Sequence, residues 1–201
     1  MARQLDFYFD CSSPWTYLAF HAVQPLAIEL GAKIAWKPIL VGGVFNAVNQ
    51  TVYDNRSNPN ALKQAYMRQD LAAWAKLLGL KIIFPPSIFP VNSVKCMRGA
   101  LVALDDDKLV PYARAAFEAY WGDNRDLADK DVLDDIADTA GIDRRHFFSG
   151  IDADAVKTRL RANTDELIAR GGFGSPTIFV GGSMFFGNDR LPLVRAALEA
   201  I

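Results

Sequence analysis

Phe7-Tyr8-Phe9-Asp10-Cys11-Ser12-Ser13-Pro14-Trp15-Thr16-Tyr17-Leu18-Ala19 is the stretch whose reading decides the fold. Leu5, Phe7 and Phe9 alternate with Asp6, Tyr8 and Asp10, a two-residue period with aromatic weight that predicts a strand. Ser12 or Ser13 then offers an N-cap hydroxyl. Pro14 suits the first helical position because it has no N–H to leave unpaired. Ser13 stands either as a plain cap or at the positive end of a helix, where free amides favour a phosphate, carboxylate or thiolate.

Working outward, a helix is expected over 14–30, with Tyr17, Leu18, Ala22, Leu26 and Leu30 on its apolar face, Pro25 kinking it and Gly31 closing it. A second strand is expected over 33–40, which completes a right-handed βαβ unit. The polar stretch 42–60 reads as a long functional loop. Helical patterns follow over 61–78, 93–104, 112–121, 130–140, 144–148 and 154–170. A strand at 177–180, a Gly181-Gly182 turn, a partner strand at 184–186 and a helix over 188–201 end the chain. The order is βαβ, a block of helices, then αββα. Residues 1–45 and 165–201 are expected to form one α/β domain, interrupted by an inserted all-α domain at 46–164.

Composition bounds the function. The 201 residues are 51% hydrophobic and 22% charged, enough apolar content for a real core. A net charge of −1 supplies no basic field for a phosphate backbone, which argues against nucleic acid. No apolar run approaches the roughly 20 residues a membrane span needs. Met1-Ala2-Arg3-Gln4 carries no signal-peptide pattern, so a cytoplasmic protein is expected. Cys11 and Cys96 sit in unrelated sequence contexts and are expected to be free, with neither a zinc site nor a disulfide framework.

The element order resembles a thioredoxin fold carrying a helical insertion, and Ser13-Pro14-Trp15-Thr16 stands where such oxidoreductases place Cys-x-x-Cys. The opening stretch, Gly42-Gly43-Val44-Phe45, 63–71, Phe84-Pro85-Pro86, Asn92, Gly174-Ser175-Pro176-Thr177 and Phe186-Gly187-Asn188-Asp189-Arg190-Leu191 resemble the 2-hydroxychromene-2-carboxylate isomerases and their relatives, the kappa-class glutathione transferases.

The resemblance implies a DsbA-like thioredoxin fold, glutathione as cofactor, a homodimer, and isomerisation of a small aromatic carboxylate in aromatic hydrocarbon catabolism. Kappa-type transfer and, with both motif cysteines replaced, thiol–disulfide exchange are the alternatives. It implies that Ser13 hydrogen-bonds the glutathione sulfur. It also implies that Ser175-Pro176 is cis and pairs with the tripeptide backbone, and that Phe186, Gly187, Asn188 and Asp189 hold its γ-glutamyl end. The family commonly has an apolar residue at 175, so Ser175 departs from it. Asn188 and Asp189 read equally as helix caps.

For the second substrate the resemblance points to Asn49, Asn55, Arg56 and Lys63, with Asn92 nearby. An Arg fork and a Lys charge suit a carboxylate, and each residue reads equally as solvated surface or, for Asn92, as a local turn. Trp15, Tyr17 and Phe45 are either pocket walls or core. Cys11 is expected to be a buried small thiol, and His21 and His146 structural or exposed.

Overall fold

The computed structural model describes residues 3–201, so the reading of Met1 and Ala2 lies outside the described residues. Strand β1 (Gln4–Phe9) pairs in parallel with β2 (Lys33–Pro38), from Gln4 opposite Lys33 to Phe9 opposite Pro38. Helix α1 (Pro14–Glu29) makes the crossover and runs unbroken through Pro25. On its other side β1 pairs antiparallel with β3 (Thr177–Val180), which a Gly181-Gly182 turn joins to β4 (Ser183–Phe186). The sheet order is β2-β1-β3-β4. The first and last motifs of the sequence therefore meet on adjacent strands. A DsbA-like thioredoxin fold of mixed α/β class is the result.

Because β1 is central, both its faces are covered. Leu5, Phe7 and Phe9 enter the main core, while Tyr8 points to a smaller cluster with Ile39, Val44, Leu167 and Phe179. The alternation that predicts the strand is real, yet its even positions are not solvated. Arg170 Nη1 reaches the Tyr8 hydroxyl at 2.9 Å and Asp6 at 2.7 Å, and its guanidinium lies 3.7 Å over Phe179. Burial pushes the Tyr8 phenol up to about 12.

The stretch 42–60 is not a loop. It forms α2 (Val41–Val48) and α3 (Thr51–Ser57). Leu40, at the N-cap of α2, makes no side-chain cap of its own. Its amide donates instead to Thr164 Oγ1 at 3.0 Å, and the Val41 amide donates to Asp10 Oδ2 at 2.9 Å. The caps come from residues distant in sequence, and Val41 and Val44 are buried beneath them. Then follow α4 (Ala61–Leu78), α5 (Val94–Asp105), and α6 (Leu109–Phe117), which continues into a π-helical turn over Glu118–Gly122. Helices α7 (Lys130–Thr139), α8 (Arg144–Asp152) and α9 (Asp154–Ala169) complete the block. Helix α9 carries the chain through 164/165 without a break. A 3₁₀ turn over Asn188–Arg190 leads into α10 (Leu191–Glu199).

A single apolar cluster joins β1 and α1 to α5, α6, Trp121 and Phe147. It also holds both cysteines, which the sequence places in unrelated contexts. They are free and fully buried, and burial, reinforced by neighbouring Cys96 and Asp10, pushes the Cys11 thiol well above its usual range. Tyr17 belongs to this core rather than to a pocket wall, stacked 5.5 Å from Phe117. No helix among the described residues is long and apolar enough to cross a membrane.

Gly99 shows how tightly α5 is packed. A Cβ there would lie 2.6 Å from Phe147 Cε2 and still closer to the Tyr112 hydroxyl. Gly99→Ala is expected to lower stability by about 1–3 kcal/mol through overpacking. A lower midpoint of chemical denaturation at unchanged slope would report it.

Candidate functional site

The site starts from one capping event. Ser13 leaves β1 in an extended conformation (φ −105°, ψ 124°), and its Oγ accepts the Thr16 amide at 3.3 Å, with Pro14 in the first helical turn. The same hydroxyl donates its proton to Ser175 O at 3.0 Å, across 162 residues of chain. Ser13 is half-buried, so this hydroxyl lies at the rim of the core and not within it.

Opposite it, Ser175-Pro176 is cis. Ser175 Oγ accepts the Asp10 amide at 3.1 Å and lies 2.8 Å from Thr16 Oγ1. The Ser175 side chain thus ties the loop to the turn. The Ser175 amide has no protein acceptor among the described residues. Gly174 lies under Phe186, whose ring would stand 2.8 Å from any Cβ at that position. Phe186 is exposed and packs 4.5 Å from the Phe173 ring. Gly187 donates to Pro176 O at 3.1 Å and takes φ +105°, a conformation that side chains disfavour. Asn188 is 7% exposed and its Nδ2 is buried without a partner. Asp189 pairs with Arg190 at 3.1 Å.

Beneath the turn lies a carboxylate that sequence reasoning missed. Asp10 is 1% exposed. Its Oδ1 accepts the Ser12 amide at 2.9 Å, and its Oδ2 accepts the Val41 amide at 2.9 Å and Ser93 Oγ at 3.1 Å. Burial raises its pKa, and the Ser12, Val41 and Ser93 donors oppose that rise. The available signal was an acid at the end of a strand whose apolar residues continue the core. Trp121 Nε1 fixes Cys11 O at 2.9 Å, and Met97 Sδ accepts the Cys11 amide at 3.3 Å.

The residues expected to meet a second substrate are spread more widely. Asn49 donates to Phe173 O at 3.0 Å, which ties the end of α2 to the cis-proline loop. Arg56 lies 5.7 Å over Phe45 and 5.8 Å over Phe89, bridging α3 to the loop before α5. Asn55 and Lys63 are exposed, and Lys63 contributes only its amide, to Asn60 Oδ1. Asn92 Oδ1 accepts the Val94 amide at 3.1 Å, the local turn role. Trp15 packs with Met67 and Trp74 on the Leu18–Leu71 cluster.

Comparisons with known proteins cover the whole chain. The DSBA-like thioredoxin domain family matches residues 4–199. A 2-hydroxychromene-2-carboxylate isomerase of Pseudomonas sp. (strain C18) is 33% identical over 196 residues, covering 96% of this chain and 89% of the relative. Glutathione S-transferase kappa 1 of Rattus norvegicus is 24% identical over 98% of this chain and 91% of its own. A solved 2-hydroxychromene-2-carboxylate isomerase superposes with a TM-score of 0.83 at 28% identity, covering 98% of this chain and 95% of that one.

On the outer side of α1, His21 stands edge-on to Tyr17 and Phe20, with Nε2 buried and unpartnered. Burial, aided by the Arg114 charge, lowers its pKa from 6.5 to about 4. Below about 6.5 the unfolded chain takes up a proton that the folded chain refuses. Stability is therefore expected to fall as pH drops from about 6.5 to 4, and this component should vanish in His21→Gln. Denaturation midpoints of both proteins across that window would test it.

Proposed function

The chain belongs to the DSBA-like thioredoxin domain family and is an enzyme of the 2-hydroxychromene-2-carboxylate isomerase type. On that footing we propose that it binds glutathione at Ser13 and interconverts 2-hydroxychromene-2-carboxylate with trans-o-hydroxybenzylidenepyruvate. One observation carries this reading. A hydroxyl sits at the N-cap of α1 facing a cis-proline loop, with Thr16 in the place of a second motif residue.

The polar groups left over suit a tripeptide. The Ser175 amide lacks a protein acceptor among the described residues, in the place where an extended peptide would pair as an added strand. The unpartnered Asn188 Nδ2 is a buried donor that a carboxylate would satisfy, and the Asp189 carboxylate, half-exposed in its pair with Arg190, would suit an ammonium group. Bound there, glutathione would supply a thiolate: once the hemiketal C–O bond of the chromene has opened to the cis enone, the thiolate would add reversibly to the conjugated double bond, which could then turn as a single bond before the thiolate leaves and the trans double bond re-forms.

The chain's own part is electrostatic and positional. The positive end of α1 favours the thiolate over the thiol. Ser13 then exchanges a neutral acceptor, Ser175 O, for a charged sulfur, a change in the direction of the stronger hydrogen bond. Ser13 has no histidine partner in hydrogen-bond contact, so it acts as a donor and not as a nucleophile. Arg56, spread over Phe45 and Phe89, is placed to hold the substrate carboxylate, and Asn49 to fix the loop edge beside it. The same reading makes the enzyme a cytoplasmic homodimer acting in aromatic hydrocarbon catabolism. Its two buried free thiols accord with a reducing compartment.

Ser13→Ala is expected to weaken glutathione binding by about tenfold or more, the loss of one donor to a charged acceptor. Calorimetric titration of wild type and variant would measure this, and equal affinities would refute the role. Arg56→Ala should raise KM for 2-hydroxychromene-2-carboxylate about tenfold with little change in kcat. Steady-state kinetics with product analysis would check it, and release of a stable glutathione conjugate would assign transfer in place of isomerisation.

A further inference from the structure

The Asp10 carboxylate receives donors from three separate segments. Oδ1 takes the Ser12 amide, which shapes the turn that presents Ser13. Oδ2 takes the Val41 amide at the first position of α2, and the Ser93 hydroxyl just before α5. The residue's own amide goes to Ser175 Oγ, and its carbonyl accepts the Ser13 amide at 3.2 Å. One residue thus fixes the turn that presents Ser13 and the helix that leads to Asn49 and Arg56.

We infer that Asp10 is a positioning residue that couples the two halves of the active site, holding the sulfur-binding turn through Oδ1 and the second-substrate helices through Oδ2. The inference rests on the glutathione reading above. It does not make Asp10 a catalytic residue, because Asp10 acts through the turn and through α2.

The chemistry of the two oxygens separates the arms. A carboxylate accepts at both positions, whereas an amide accepts at one and donates at the other. In Asp10→Asn, whichever way the amide turns, either the Ser12 or the Val41 amide loses its acceptor. The Ser93 hydroxyl can rotate to accept, so it does not set the outcome. Val41→Pro is more selective. It replaces the N–H that Oδ2 receives with a ring methylene, so Oδ2 must draw back from α2 while Oδ1 keeps its Ser12 donor, at a helix position that tolerates proline. Leu40, at φ −108° and ψ 103°, already has the extended conformation that a residue before proline adopts.

The experiment compares wild type, Asp10→Asn and Val41→Pro. Glutathione affinity is read by calorimetry, kcat and KM with 2-hydroxychromene-2-carboxylate, and amide hydrogen exchange over 41–48. Val41→Pro is expected to raise KM about tenfold while glutathione affinity stays within about twofold of wild type. Asp10→Asn should weaken both by about tenfold, and both variants should speed exchange over 41–48. A purely structural role would lower stability without this split. Unchanged KM in Val41→Pro, or an equal loss of both affinities there, overturns the coupling, whether or not Asp10→Asn folds. If wild type binds no glutathione, the functional reading fails by itself. The exchange data then still decide whether Asp10 anchors α2, with unchanged exchange in both variants overturning that too.

Discussion

At the end of β1 the strand stops but burial does not. Asp10 follows six strand residues of which four are buried, and it is itself 1% exposed. A carboxylate in that position costs several kcal/mol unless donors meet it. The donors that meet it come from the next turn, from the start of α2 and from the approach to α5. The sheet, the turn and the helical block are therefore not free to settle independently. The direction of the Asp10 pKa, raised despite three hydrogen bonds, shows that burial outweighs its partners. Such a group earns its place through geometry more than through stability.

The same constraint explains the polarity around Ser13. Ser175, 162 residues further on, is brought beside the turn by the antiparallel pairing of β1 with β3. Its hydroxyl accepts the Asp10 amide and contacts Thr16 Oγ1, so the cis-proline loop is bonded to the turn by side chains as well as by the sheet. An apolar residue at 175 would leave the Asp10 amide seeking another acceptor.

Much of this was legible in the sequence where the signal is local. The alternation in β1 gives the strand, Ser13-Pro14 gives the start of α1, and Asn60 with Gly79 (φ +66°) gives both ends of α4. The Gly181-Gly182 hairpin and the final helix follow from turn chemistry in the same way. The failures share one cause, a partner remote in sequence. Helix α2 reads as part of a loop because Asp10 and Thr164 supply the caps that Leu40 cannot. The alternation sets Tyr8 beside Asp6 and Asp10 without saying what lies over that face, and Arg170 and Phe179 are what cover it. Cys11 and Cys96 look unrelated until α5 packs beneath the first turn. At the site, Ser13 was legible as the cap of α1. Asp10 was not, since nothing in its neighbours announces three donors, and Asn92 read two ways that only the Val94 contact separates.

The placement of sulfur in this chain points the chemistry outward. Cys11 lies two residues before Ser13, yet its amide, carbonyl and thiol all face the core, against Met97, Trp121 and Cys96. Burial holds that thiol in its protonated, unreactive form. At the motif positions themselves stand two hydroxyls, Ser13 and Thr16, which donate and accept hydrogen bonds but do not exchange electrons. The thiolate that the proposed reaction requires would therefore come from a bound molecule. The Ser13 proton is already held at the right end of the helix by Ser175 O, a neutral acceptor. Replacing that acceptor with an anion requires one side-chain rotation and strengthens the bond that forms. The fold thus keeps its own sulfur out of reach while a hydroxyl, a helix end and an amide without a protein acceptor among the described residues meet at the rim of the core.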